Sequence, residues 1–360
     1  MTKYIPPPMT HYFLSITDLR QEHNKAHKLI DIIVIAVCGV LAGCDSWVEI
    51  ADFGRDREDW LQTFLELSNG IPSHDTFGRV FSLIDPNQFQ SCFADWMQSV
   101  VTLTKGQVIA IDGKTNRRTF GGKTKDGLTR ALHMVSAFAG ENGVSLGQVA
   151  TDQKSNEITA IPQLLKLLDI SGCIITTDAM GCQSDIVADI IKRKGDYLLA
   201  VKGNQKGLYL SMKSLFNDES IERDINTSEN KGHGRLEKRT AQVISETAVM
   251  NRLKHKNNWI SLNTIVKVTS ERTVTLRGES HTSHESRYYI CSLKNPSAER
   301  MQQAIRAHWG VENKLHWTID MAFREDESRI RTNHSPANMA VLRHRAIAPI
   351  ESVSYFVNVV

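Results

Sequence analysis

The feature that most constrains this chain is the order of its apolar runs between Gly106 and Asp218. Short runs at Val108–Ile111, Leu132–Ala139 and Val144–Ala150 are separated by turns rich in Gly, Asn and Lys, which reads as three strands in succession, an antiparallel meander. SNEITAIPQLLKLLDI then reads as a helix capped at Ser155 and Asn156. CIITTDAMG is a fourth strand and CQSDIVADIIKRKG a second helix that ends at Gly195. DYLLAVKG is a fifth strand and NQKGLYLSMKSLFND a third helix. Three strands followed by alternating helices and strands is the order of the ribonuclease-H-like α/β fold, a mixed sheet with helices on both faces.

The flanking segments have other textures. Residues 1–104 read as an all-helical N-terminal domain. TDLRQEHNKAHKLIDIIVIAVCGVLAG mixes polar helix formers with a long apolar stripe, and Trp47, Ile50, Phe53, Trp60, Phe64 and Leu67 recur at helical spacing. Two more helices are broken at Asp85-Pro86. His23 and His27 are spaced to share a helix face, which reads as a solvated helix end sooner than as a metal pair. Residues 105–350 form the α/β domain, interrupted at about 217–285 by a polar, β-rich insertion with runs such as TAQVIS and LNTIVKVTS. SRYYICSL is a further strand, and SAERMQQAIRAHWGVENKLHWTIDMAF a long last helix capped by Ser297.

Composition narrows the class. The chain has 360 residues, 41% hydrophobic and 23% charged, which suits a globular protein rather than a disordered one. Its 43 basic and 40 acidic residues leave a net charge of +3, which neither demands nor excludes nucleic acid. Several local clusters are basic, among them GKTNRRTFGGKTK, IIKRKGDYLLAVKGNQK and RIRTNHS. None of the six cysteines forms a Cys-x-x-Cys pair, so neither a zinc ribbon nor a thioredoxin-like site is supported, and a reducing cytoplasm is expected. LIDIIVIAVCGVLAGC is only 16 residues long and contains Asp31, so it reads as a buried helix and not a membrane span. MTKYIPPPMTHYF lacks the apolar core of a signal peptide.

QVIAIDGKTNRRT contains Gly113-Lys114-Thr115, the tail of a phosphate-binding loop. That motif needs a glycine five positions before Gly113, and Val108 stands there, so no ATP requirement is expected. The chemistry falls instead to Asp112, near the end of a core strand, with Gly113 read as allowing a turn. Asp178 ends the fourth strand in the same way, either as a cap of the following turn or as a second acid of the site, and in this fold the two strands are neighbours. A third acid belongs on the last helix, where spacing leaves Glu312, Glu299, Asp320, Glu325 and Asp326 open. Leu315 and Ile319 share a helical face with Glu312, whose own side would then be partly buried. Three carboxylates make a site for two Mg²⁺ ions, which stabilise the attacking and leaving oxygens of an in-line phosphoryl displacement.

IAIDGKT, SNEITAIPQLLKLLDISGCIITTDAMGCQ, GDYLLAVKGNQ and RAHWGVENKLHW resemble the H-repeat-associated transposases of bacterial insertion sequences. The likeness runs from about residue 12 to 345 and includes HKLIDIIVIAVCGVLAGCDSWVEIADFG and NGIPSHDTFGRVFSLI. It implies a DDE transposase that cleaves and joins DNA at the element's ends, with Asp112, Asp178 and Glu312 as catalytic and metal-binding triad. Mg²⁺ is the expected ion, with Mn²⁺ able to substitute. A metal-dependent nuclease or resolvase of the same fold, and an inactive or domesticated DNA-binding relative, are the alternatives. In the wider group the acid sits in a Tyr-x₂-Arg-x₃-Glu-x₆-Lys pattern; here Ile305, His308 and Ile319 hold the other three places. Lys114, Arg117, Arg118, Lys202, Lys206, Arg306, His308, Arg329 and Arg331 are the expected DNA contacts. The partners implied are double-stranded DNA, as terminal inverted repeats and target, and further copies of the chain. The N-terminal helices are assigned to end recognition, the location to the bacterial cytoplasm and nucleoid, and no membrane is involved. Similar proteins continue in a basic helical tail; RAIAPIESVSYFVNVV is apolar, which reads as a packed strand or helix, or as a frameshift scar.

Overall fold

The computed structural model describes residues 8–346 except 102, 124–128, 152–156, 233–234 and 277–278, and excepting also the side chains of 100, 117, 120–123, 129–130, 275–276 and 279. The helical front is built by local capping. Ser46 accepts the Glu49 N–H and Ser73 the Thr76 N–H, while Asp85 accepts two N–H groups ahead of Pro86. The helices are α1 (Met9–Phe13), α2 (Leu29–Leu41), α3 (Trp47–Asp56), α4 (Glu58–Leu61), α5 (His74–Leu83) and α6 (Pro86–Val100). The apolar stretch LIDIIVIAVCGVL is α2, buried along most of its length, and no described helix is long and apolar enough to cross a membrane. The polar run before it is not helical beyond one 3₁₀ turn at Glu22–Asn24, so His23 and His27 do not share a helix.

The strands are β1 (Val108–Lys123), β2 (Thr129–Ala139), β3 (Val144–Ala150), β4 (Ile174–Thr177), β5 (Asp196–Val201), β6 (Asp224–Gly232), β7 (Arg235–Ile244), β8 (Thr264–Leu276) and β9 (Glu279–Cys291). Between and after them run α7 (Glu157–Lys166), α8 (Ser184–Lys192), α9 (Lys206–Asn217), α10 (Thr247–Met250), α11 (Ala298–His308), α12 (Trp317–Phe323) and α13 (Ser335–Arg345). The strands hydrogen-bond in the order β3-β2-β1-β4-β5-β9-β8-β7-β6. β1, β4 and β5 are parallel, β2 and β3 antiparallel, and β5 through β6 antiparallel pair by pair. A mixed sheet with β1 at the centre of 3-2-1-4-5 is the ribonuclease-H-like arrangement, and the sequence order led to it. The caps expected at Ser155 and Asn156 lie outside the described residues.

Three elements differ from the sequence reading. β1 runs on for 16 residues, so Gly113 lies inside a strand and not at a turn. Its second half is polar, and Asn116 and Thr119 are nevertheless buried, which no apolar pattern announces. The segment read as an insertion supplies β6, β7, β8 and part of β9, which extend the same sheet, with the polar β6 at its edge. The long last helix is interrupted: α11 stops at His308, a π-helical turn occupies Val311–His316, and α12 follows.

The chain divides into two compact units, one of Met1–Leu103, Asp112–Asp169 and Val311–Val360, the other of Thr104–Ile111 and Ile170–Gly310. The first is centred on an aromatic core in which Phe13, Phe89, Phe93 and Trp96 meet edge-on or tilted and Trp47 stacks on Phe81 at 4.8 Å. Phe323, Met339, Val341 and Leu342 complete that core from the C-terminal segment. Asn338 is fully buried there, and its Nδ2 donates to the carbonyls of Phe81 (2.8 Å) and Ile84 (2.9 Å). The second unit packs α11, through Ala298, Met301, Ala304 and Ile305, on Val108, Ile174, Leu198, Val243 and Val266.

Candidate active site

In the first unit, alternation along β1 sorts the residues of IDGKT onto two faces. Gly113 and Thr115 face His133, which bonds Thr115 Oγ1 through Nδ1 at 2.8 Å and Glu157 through Nε2 at 3.1 Å. A Cβ on Gly113 would collide with both His133 and Glu157, and this close approach is the reason for the glycine. Asp112 and Lys114 occupy the other face. Asp112, half-buried, has its Oδ2 at 3.7 Å from His316 Nδ1. Burial, with His344 and Lys114 nearby, lowers His316 to about 3, so the ring is neutral and the contact is not an ion pair.

Lys114 is not presented to a phosphate. Its side chain is only 9% exposed, and the ammonium donates to Asp320 Oδ1 at 2.5 Å and Glu325 Oε2 at 3.0 Å. Glu325 is 0% exposed. Burial alone would push its carboxyl up, but His344 and the Lys114 ammonium outweigh that and bring it down to about 2. Two of the five acids that spacing left open are therefore engaged with Lys114.

Glu312 is exposed, not partly buried, because of the π turn. At about 100° per residue, a regular α-helix would set Glu312 about 20° from Ile319. Ile319 and Leu315 are fully buried. The wider π turn breaks this phase between Val311 and His316 and swings Glu312 out of the stripe.

In the second unit, Asp178 follows β4 and is half-buried. Its Oδ1 accepts the N–H groups of Met180 (2.9 Å) and Gly181 (3.3 Å), and so closes the turn after the strand. Asn204 donates to the Ala179 carbonyl at 2.6 Å, fastening the loop after β5 to this turn. That loop and the start of α9 carry Lys202 and Lys206, both exposed. Arg306 is exposed on α11. His308, at the end of α11, bonds Thr176 Oγ1 on β4 through Nδ1 at 3.0 Å. Burial lowers His308 to about 4, so near neutral pH it is an uncharged anchor and not a phosphate-binding cation. Sequence reasoning missed Thr176 and Asn204 as positioning partners, since neither stands in a motif.

Among the remaining expected DNA contacts, Arg118, Arg329 and Arg331 are exposed, with Arg331 Nε donating to the Arg118 carbonyl at 3.4 Å. The Arg117 side chain and the tail residues 347–360 lie outside the described residues. Among the described residues, no group of three or more His, Cys, Asp or Glu side chains is close enough to hold a metal ion. The two aspartates nonetheless follow a register pair: Ile111 on β1 is opposite Thr177 on β4, and Asp112 and Asp178 come next in sequence.

Two family models match the chain. Residues 10–97 match the DDE_Tnp_1-associated family and residues 103–348 the transposase DDE domain. YncI of Escherichia coli O157:H7, a candidate transposase by name, is 43% identical over 93% of this chain and 85% of its own length. YhhI of Escherichia coli strain K12, named an H repeat-associated candidate transposase, is 41% identical over 92% of this chain and 87% of its own. YbfQ of the same strain, named an inactive transposase, is 44% identical over 19% of this chain and 83% of its own. With a central DDE domain, a matching N-terminal partner and relatives of this closeness, the chain belongs to the H-repeat-associated family of DDE-domain DNA transposases.

Proposed function

We propose that this protein cleaves and joins DNA strands at the ends of its own insertion sequence, with Asp112, Asp178 and Glu312 as the carboxylates that bind two Mg²⁺ ions. The register of β1 on β4 is the observation that carries the reading. The β1–β4 pairing reaches Ile111 opposite Thr177, and an aspartate follows each of these residues in sequence. The donor set is of the right chemistry: Mg²⁺ prefers carboxylate oxygens and completes its shell with water and substrate phosphate, so a ready-made three-residue cage is not required. The ions, when bound, would activate the attacking oxygen and stabilise the departing one.

The chain's own contribution is orientation. Hydrogen bonds from Met180 and Gly181 hold one oxygen of Asp178 and leave its other face for a ligand. The π turn leaves Glu312 exposed. The neutral His316 beside Asp112 supplies no competing cation. Exposed Lys202, Lys206, Arg306, Arg118, Arg329 and Arg331 would meet backbone phosphates of duplex DNA without reading sequence, and the N-terminal helices would recognise the terminal repeats. Pairing of two DNA ends calls for a homo-oligomer, acting on nucleoid DNA in the cytoplasm.

The test is cleavage and joining of labelled element-end DNA in Mg²⁺ or Mn²⁺ against EDTA, for wild type, Asp112→Asn, Asp178→Asn and Glu312→Gln. Metal-dependent nicking and joining, lost in all three variants while DNA binding persists, is the expected result. Nicking without joining would make the protein a nuclease of the same fold. Binding without cleavage by a well-folded wild type would make it an inactive relative.

A further inference from the structure

The strand that carries Asp112 and the helix that follows Glu312 run in step. Asp112 stands against His316 and Lys114 against Asp320, two residues on along β1 and four along the helix. Two strand residues advance about 6.6 Å and four helical residues about 6.0 Å, so a single straight contact accommodates both pairs. Glu325, just past α12, meets the same ammonium at 3.0 Å. It sits directly after Arg324, whose left-handed backbone (φ 44°) ends the helix and turns the chain back.

A Lys ammonium held by the fully buried Glu325 and by Asp320, whose side chain is 33% exposed, is an expensive arrangement that apolar side chains could replace. Such a cluster fixes one register, because slipping α12 by a residue would leave charges buried and unpaired. The element it would fix is a π turn, which a regular α-helix would otherwise erase, returning Glu312 to the buried stripe of Leu315 and Ile319.

We infer that Lys114 is a positioning residue for catalysis: clamped between Asp320 and Glu325, it locks α12 to β1 and thereby holds the π turn that presents Glu312 alongside Asp112's strand. The inference rests on the proposed roles of Asp112 and Glu312. It removes Lys114 from the DNA-contacting set, where the sequence had put it.

The experiment compares wild type with Lys114→Met and with Lys114→Met/Glu325→Gln, the second leaving no buried carboxylate at Glu325 without its cation. Thermal unfolding, DNA-end affinity against salt, single-turnover cleavage, and amide hydrogen exchange over Val311–Phe323 are measured on each full-length protein. The single variant is destabilised. The double variant recovers stability and keeps wild-type DNA affinity and salt dependence. Its cleavage stays down by about 100-fold, the scale of a misplaced catalytic group, and its Val311–Phe323 amides exchange about tenfold faster. Recovery of cleavage along with stability would reduce Lys114 to a neutralising charge and overturn the inference. Weaker DNA binding with a flatter salt dependence in Lys114→Met would make it a phosphate contact and also overturn it. If wild type itself fails to cleave, the functional reading fails, and exchange still decides the clamp: faster exchange confined to Val311–Phe323 supports it, unchanged exchange refutes it.

Discussion

Asp178 closes a turn and is proposed to bind metal, and one pair of substitutions separates the two roles. Its Oδ1 accepts N–H groups from Met180 at 2.9 Å and Gly181 at 3.3 Å, one good hydrogen bond and one long one. Bonds of this kind to a charged acceptor are each worth about 1.5–3 kcal/mol, the long one less. Asp178→Ala removes both, and a loss of about 2–3 kcal/mol is expected. Asp178→Asn keeps an oxygen in place but not the charge, and neutral bonds are about half as strong, so its loss stays near 1 kcal/mol. For a chain of this size each kcal/mol lowers Tm by about 2 °C. The two variants should therefore unfold several degrees apart, yet both should lack metal-dependent cleavage, because a carboxylate is what Mg²⁺ requires. Differential scanning calorimetry and the element-end cleavage assay, run on both proteins, test this. Cleavage by Asp178→Asn within about tenfold of wild type, a change of only about 1.4 kcal/mol, would show that Asp178 is a turn residue alone and that the metal is held elsewhere.

Other outcomes follow from the buried groups. Glu325 is held from its ordinary 4.5 down to about 2, so it stabilises the fold fully above pH 4.5 and progressively less as pH falls to 2. Urea unfolding from pH 5.5 to 2.5 should lose about 2.5 kcal/mol more in wild type than in Glu325→Gln, and parallel curves would refute the pairing. Asn338→Leu should cost about 2–5 kcal/mol by leaving the Phe81 and Ile84 carbonyls without their donor; a Tm shift below about 2 °C would mean that water or backbone takes its place. His308→Gln should leave the salt dependence of DNA affinity unchanged, since His308 is neutral above about pH 4. Lys206→Ala, by contrast, should flatten the log–log slope by about 0.9 if it meets one phosphate.

Much of the fold was legible because β4, β5 and the first half of β1 read as continuous apolar runs, with helical stretches between them. The second half of β1 escaped because Thr, Asn and Arg alternate there without an apolar stripe. The β6–β9 extension was legible as strands but not as part of the same sheet, since partner choice is a property of the assembled sheet and not of any one run. At the site, Asp112 and Asp178 stood out as acids closing apolar strands. Glu312 did not stand out from Asp320 and Glu325 by spacing, and only the family likeness singled it out.

The sequence by itself determined the order of elements, the family, and the chemical type of the proposed site, because periodicity, capping and carboxylate placement are local and leave marks in single segments. The tertiary structure decided what depends on long-range neighbours. It turned Lys114 away from solvent to two acids more than 200 residues ahead in the chain, exposed Glu312 through a π turn, and made His308 and His316 neutral by burial. A lysine's charge, a helix's phase and an imidazole's protonation are set by what packs against them, and a linear string carries no record of that packing.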